Sequence, residues 1–166
     1  MEKVIVVDPD KCTGCKVCEM ICSLHHENEI NPMKARIQVV SWEEEGIDVP
    51  MICQQCADAP CEAICPVNAI YRADGTGAML IDEKSCIGCR MCINACPFGA
   101  PTVRSDRKVV KCDVCSGEPQ CVEFCAPQAL QYIPAAKGAL QKKRLAASRL
   151  EELIKCMASS STSAAK

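Results

Sequence analysis

The chain has 166 residues, 17 of them cysteine, with one tryptophan, two tyrosines and two phenylalanines; this is the cysteine density of a disulfide scaffold or a metal protein. With cysteine set aside the apolar share falls from 49% to roughly 39%, short of the usual ~45–50%, so something other than aromatic side chains must fill the interior. Net charge is −2, yet residues 136–166 carry +5 and the remainder −7. An acidic main body argues against nucleic-acid binding, and no apolar run approaches the ~18–20 residues of a membrane span.

In chain order, Val4-Ile5-Val6-Val7 reads as a short β-branched strand. The segment before it has no charged n-region, apolar h-region or twin arginine, so a secretory route is not expected. A turn leads to Cys12, Cys15, Cys18 and Cys22, spaced C-x2-C-x2-C-x3-C. That is the bacterial ferredoxin signature for [4Fe–4S] ligation. Short x2 gaps let three thiolates converge from one loop, and Gly14 lets backbone N–H groups approach the cluster sulfurs. The fourth cysteine is expected at the start of a short helix. His25 and His26 follow, and because no cysteine is missing from the group they read as surface or helix-end residues. Residues 23–52 form a connection with a strand candidate at Arg36–Val40. Its acidic run Glu43-Glu44-Glu45 reads as a solvated turn.

The second group is Cys53, Cys56, Cys61 and Cys65, C-x2-C-x4-C-x3-C followed by Pro66. Met79-Leu80-Ile81-Asp82 repeats the strand-then-turn lead-in. The third group, Cys86, Cys89, Cys92 and Cys96, repeats the first spacing with Gly88 in place of Gly14 and Pro97 at its end. Arg104, Arg107, Lys108 and Lys111 precede the fourth group, where they either offset cluster charge or dock a partner. That group is Cys112, Cys115, Cys121 and Cys125, C-x2-C-x5-C-x3-C, with Pro127 one residue late. The segments starting at Pro66, Pro97 and Pro127 read as one repeated exit turn. Beyond Pro134, residues 137–157 form a helix with Leu140, Ala147, Leu150, Ile154 and Met157 as an apolar stripe and Glu151–Lys155 as an i,i+4 pair. Residues 158–166 read as disordered. Cys156 belongs to no group and reads as inert packing.

Disulfides would need an oxidising compartment. Structural zinc uses two Cys pairs separated by a longer spacer. Four repeated quartets, two ending in Cys-Pro, fit neither. Cys65 and Cys86 are close enough for only one exit turn and one strand between them, so the second and third quartets read as one compact two-cluster unit. The first and fourth then form another around it. The expected architecture is α+β: two bacterial-ferredoxin-like 2[4Fe–4S] modules, one inserted in the other, plus a C-terminal helical tail. The outer module would be 1–49 with 100–135, the inserted one 50–99, and the tail 136–166. The acidic surroundings predict low potentials.

The four-motif order, over residues 1 to about 133, resembles the iron–sulfur electron-transfer subunits of the molybdenum and tungsten oxidoreductases of the dimethyl sulfoxide reductase type. The resemblance implies that the first motif pairs with the fourth and the second with the third. One cluster would then take Cys12, Cys15, Cys18 and Cys125, and the next Cys22, Cys112, Cys115 and Cys121. A third would take Cys53, Cys56, Cys61 and Cys96, and the fourth Cys65, Cys86, Cys89 and Cys92. Sequential pairing of motifs is the competing assignment, and spacing is compatible with both. The short form, and residues 27–56 in particular, is similar to the polyferredoxin-like subunits of tungsten aldehyde oxidoreductases and of related benzoyl-CoA reductase and hydrogenase systems.

The resemblance implies a cytoplasmic subunit with four [4Fe–4S] clusters. It would relay single electrons between a tungsten or molybdenum pterin subunit oxidising an aldehyde and a flavin subunit reducing NAD. No catalytic residues are expected, since the chain has no Gly-rich phosphate loop and no nucleophile–base motif. The segregated charge and the stripe Leu140, Leu150, Ile154 and Met157 point to a tail that packs on its own subunit or docks onto another chain, the latter giving a homo-oligomer or filament. A free-standing polyferredoxin shuttle and a zinc-structured module are the alternatives.

Overall fold

The computed structural model describes residues 3–104 and 106–163, with side chains as far as Lys155. Strand β1 (Lys3–Val7) pairs antiparallel with β8 (Leu130–Pro134), Val4 opposite Ile133 and Val7 opposite Leu130. The two ends of the cysteine-rich part therefore meet in one ribbon. Three further two-stranded ribbons follow in the chain: β2 (Gln38–Trp42) with β3 (Ile47–Met51), β4 (Ile70–Arg72) with β5 (Met79–Ile81), and β6 (Thr102–Val103) with β7 (Val109–Val110). The predicted strand at 36–40 begins two residues late because the Arg36 N–H is already donated to Cys22 Sγ at 3.2 Å. Glu43, Glu44 and Glu45 form the exposed hairpin turn that their charge predicts.

The helices are short for a sequence reason. Helix α1 (Val17–Glu27) runs on for 11 residues after the first motif, where no proline follows Cys22. Helices α2 (Pro60–Ala63), α3 (Met91–Ala95) and α4 (Gln120–Glu123) last about one turn, and each is followed by a proline that cannot continue a helix. The expectation that the fourth cysteine starts a short helix needs correcting in all four motifs: Cys22 lies in the middle of α1, whose first turn holds Cys18. The third cysteine (Cys61, Cys92, Cys121) sits in the first turn, and the fourth (Cys65, Cys96, Cys125) lies at or past the helix end. The two stand at i and i+4 with three residues between them, a step of about one helical turn that the helix spans.

The interior divides into two apolar groups. Ile5, Ile37, Ile52, Val114 and Leu130 gather with Cys22, Cys112 and Cys121. Ala59, Ile70, Met79 and Val109 gather with Cys61 and Cys92. Cysteine thus takes core positions that aromatics hold elsewhere.

Helix α5 (Ala135–Ser163) starts directly from β8 and continues past residue 157, into a segment of alanine, serine and threonine without a helix-breaking Gly or Pro. Gly138 is buried against the β1–β8 ribbon: a Cβ there would lie 3.0 Å from Cγ2 of both Val4 and Val6. Gln141 and Leu145 are half-buried on the same side, and Arg149 reaches Asp10 at 3.6 Å. At about 100° per residue, Leu140, Ala147, Leu150 and Ile154 fall on the opposite side. Leu140 is 52% exposed, and Leu150 and Ile154 are each 58% exposed. The stripe therefore faces away from the helix's own sheet. The side chains of Cys156 and Met157 lie outside the described residues. Among the described residues, no helix is long and apolar enough to cross a membrane.

Candidate metal centre

The backbone prepares all four cysteine loops in the same way. The residue before the second cysteine is left-handed in each: Gly14 (φ 64°), Gln55 (φ 50°), Gly88 (φ 69°) and Val114 (φ 52°). The glycines adopt this conformation freely. Gln55 is held there by its side chain, whose Nε2 donates to the Cys112 carbonyl at 2.9 Å and whose Oε1 accepts from the Met79 N–H at 2.7 Å. Val114 is held by burial in the first apolar group. The exit turns repeat as well, with Asn68, Gly99 and Gln128 left-handed three residues after their last cysteine. These curls turn N–H groups toward sulfur. Ala69 donates to Cys65 Sγ at 3.3 Å and Val114 to Cys112 Sγ at 3.4 Å.

Three cavities result, each bounded by four thiols from two motifs. One is lined by Cys22, Cys112, Cys115 and Cys121. Another is lined by Cys53, Cys56, Cys61 and Cys96. The last is lined by Cys65, Cys86, Cys89 and Cys92. In the remaining set burial raises the Cys12 thiol, the Gly14 N–H lowers it, and Asp48, Cys15 and Cys125 raise it further, so these cysteines share one electrostatic neighbourhood. Cys18 is pushed up to about 12 by burial, then by Glu19, Cys15 and Cys12. Soft thiolates drawn from two motifs at ferredoxin spacing are the donor set of an iron–sulfur cluster.

Neighbouring sets influence one another electrostatically. Cys121 feels Cys112, Cys22, Cys115 and then Cys18; Cys112 feels Cys53; Cys92 feels Cys61. These influences run from the Cys12 set through the Cys22 and Cys53 sets to the Cys65 set. Cys112 and Cys121, in the middle, are buried and their thiols rise well above the ordinary range. Cys15 and Cys89, in the end sets, are the exposed cysteines among those described.

A family model for the 4Fe-4S dicluster domain matches residues 45–134, and one for a 4Fe-4S binding domain matches residues 4–27. The chain belongs to the 4Fe-4S dicluster family. This dicluster chain is similar to the polyferredoxin-like subunit of the aliphatic sulfonate oxidoreductase of Pyrococcus furiosus, with 46% identity across 73% of this chain and 70% of the relative. It is also similar to the putative electron transport protein YsaA of Escherichia coli, with 40% identity across 87% and 97%. A chain of the active site complex BamBC of benzoyl coenzyme A reductase aligns over 92% of this chain and 89% of its own, at 26% identity and a TM-score of 0.48. The dicluster protein is an electron-transfer iron–sulfur protein with an α+β ferredoxin-like fold, similar to subunits of oxidoreductase complexes, and its cofactors are four [4Fe–4S] clusters in sixteen grouped cysteines.

Other residues differ in where they fall. His25 is exposed as expected. His26 is not a surface residue: its side chain is 10% exposed, 3.4 Å from Asp113, with Nε2 3.8 Å from Cys115 Sγ. The last turn of α1 packs on the fourth loop, and spacing alone gave no sign of this contact. Burial, then Arg36, holds the His26 imidazole down to about 4 against the pull of Asp113, so it is neutral at neutral pH. The basic quartet before Cys112 separates into roles. Arg104 pairs with Asp106 at 2.6 Å and Glu83 at 3.2 Å, and Lys108 reaches Glu83 at 3.7 Å. Arg107 stays exposed, and Lys111 turns inward to the Cys53 cavity.

Proposed function

We propose that the chain relays single electrons between a tungsten or molybdenum pterin subunit that oxidises an aldehyde and a flavin subunit that reduces NAD. Each bound [4Fe–4S] cluster takes up and returns one electron. The observation that carries this reading is the placement of the four cysteine sets as electrostatic neighbours in series, from the set at Cys15 to the set at Cys89. Its buried middle and exposed ends suit a through-path between two partners. The cavities favour the ligand sets Cys22/Cys112/Cys115/Cys121, Cys53/Cys56/Cys61/Cys96 and Cys65/Cys86/Cys89/Cys92 over sequential pairing, because one joins the first motif to the fourth and two join the second to the third, and the influence of Cys125 on Cys12 favours Cys12/Cys15/Cys18/Cys125. The β1–β8 ribbon supports an outer module of 1–49 with 100–135 around an inserted module of 50–99.

The protein works in the cytoplasm. The outward stripe of α5, on a tail of net +5 against a body of −7, supports docking onto another chain, a second copy included. Native purification without oxygen tests the whole reading: about 16 irons per chain and a tungsten- or molybdenum-bearing subunit should come with it. A polypeptide isolated alone with full iron would instead make it a diffusing polyferredoxin. The Pyrococcus relative serves an aliphatic sulfonate oxidoreductase, so a sulfonate is the second substrate class to offer the isolated complex. Hydrogenase and benzoyl-CoA reductase complexes are the other settings to which this chemistry extends. Removing residues 136–166 should lower the particle mass; an unchanged mass would confine the tail to its own subunit.

A further inference from the structure

Two buried ionisable side chains of opposite sign sit beside different cysteine sets. Lys111 and Glu19 are each 4% exposed. Lys111 directly precedes Cys112, yet the two side chains part. Cys112 lines the cavity of the Cys22 set, while Lys111 lines that of Cys53, Cys56, Cys61 and Cys96 and donates from Nζ to the Met79 carbonyl. Among the described residues no carboxylate pairs with it. A buried ammonium facing one carbonyl is costly unless an anion faces it too. Glu83 and Asp113 line a second cavity with Lys111, but they are engaged by Arg104 at 3.2 Å and Arg36 at 2.7 Å, which leaves the thiolates of the Cys53 cavity as its anions. Burial raises the Cys61 thiol, and Lys111 is the largest influence pulling it down.

Glu19 is the counterpart. Its carboxylate accepts the Val39 N–H, has no cationic partner among the described residues, and bears on Cys18. Asp48 adds a second negative charge against Cys12 of the same set. At the Cys22 set the charge of Arg36 is spent on Asp113, 2.7 Å away. At the Cys65 set the cation lining the cavity is Arg90, which is exposed and screened by water. One set therefore faces an unshared buried positive charge and one faces buried negative charge.

We propose that Lys111 makes the cluster held by Cys53, Cys56, Cys61 and Cys96 the highest-potential cluster of the chain, so that the first electron to enter comes to rest there. Reduction adds one electron to a cluster whose four thiolates already leave it negative, with no proton taken up. A fixed cation in a low-dielectric wall favours the more negative state, and a fixed carboxylate disfavours it. The proposal rests on the four ligand sets given above.

The test is a mediated, EPR-monitored reductive titration of the full chain with dithionite, with iron measured on every sample. A Cys56→Ser chain identifies the signal of its cluster by difference, whether that cluster is retained with altered spectrum or lost. In the unaltered chain this signal should be the first to appear. If another cluster is reduced first, the proposal is overturned whatever the variants do. Lys111→Met should make that cluster at least tenfold harder to reduce, about 59 mV for a one-electron couple. Lys111→Arg should restore most of the difference, and Glu19→Gln should ease reduction of a different, low-potential signal. An unmoved midpoint in Lys111→Met with full iron would also refute the role of the lysine. Iron well below 16 per chain in the unaltered protein would defeat the ligand sets themselves, a separate outcome.

Discussion

At the residue scale, left-handed positions ahead of the second cysteine decide whether sulfur and N–H groups can face one cavity. Two were legible as Gly14 and Gly88, because glycine advertises the conformation. Gln55 and Val114 were not, since partners distant in sequence hold them there. Replacement by alanine should therefore rank by surroundings. At Gly88 a Cβ would stand 2.9 Å from the Arg107 carbonyl, which is backbone and cannot yield. At Gly14 the obstacle is the Asp48 carboxylate, the end of a side chain, and at Gly99 no atom lies within 4 Å. All three bear about 1–2 kcal/mol of left-handed strain. Loss of iron under guanidinium should occur earliest for Gly88→Ala, later for Gly14→Ala and latest for Gly99→Ala. Gln55→Ala leaves a buried carbonyl and a buried N–H bare, at about 1–3 kcal/mol for each. It should lower the same midpoint as much as a core truncation does.

Among the elements, the strand leading to each odd-numbered motif and the exit turns could be read from alternation and proline. The one-turn helices could be read less well, because a four-residue helix carries no periodicity; its position follows from the gap between the third and fourth cysteines. The apolar stripe of α5 was visible at its 3–4-residue spacing, but its orientation was not. That depends on Gly138, which lets the helix approach Val4 and Val6. Glycine inside a helix costs about 1 kcal/mol relative to alanine, and close packing on the ribbon offsets that. Gly138→Leu should lift α5 from β1 and β8. Protease cleavage within 139–155 should then accelerate while iron content holds; an unchanged cleavage rate would mean the contact does not anchor the helix.

For the whole molecule, thiols stand where a hydrophobic core would, so metal and fold are coupled. Burial raises Cys18 to about 12 and raises Cys12, Cys22, Cys61, Cys92 and Cys115 as well. In the iron-free chain these thiols are neutral at neutral pH. Their folded values lie above the unfolded value of ~8.5, so their contribution to folding is complete below that pH and is lost as pH rises through the folded values. Circular dichroism of the iron-free chain, kept reduced, should show structure fading from about pH 8.5 toward 12. In the iron-loaded chain protons compete with iron for the same sulfurs, so visible absorbance should fall as pH is lowered.

The exposure of Cys15 and Cys89, set against the burial of Cys112 and Cys121, also bears on ageing in air. Oxygen reaches the terminal clusters before the central ones. A weathered sample would lose the clusters at the two ends while keeping about half its iron and its colour, since two of four clusters remain. Such a sample would still look brown and yet conduct nothing. Its spoilage is that of a cable corroded at the plugs.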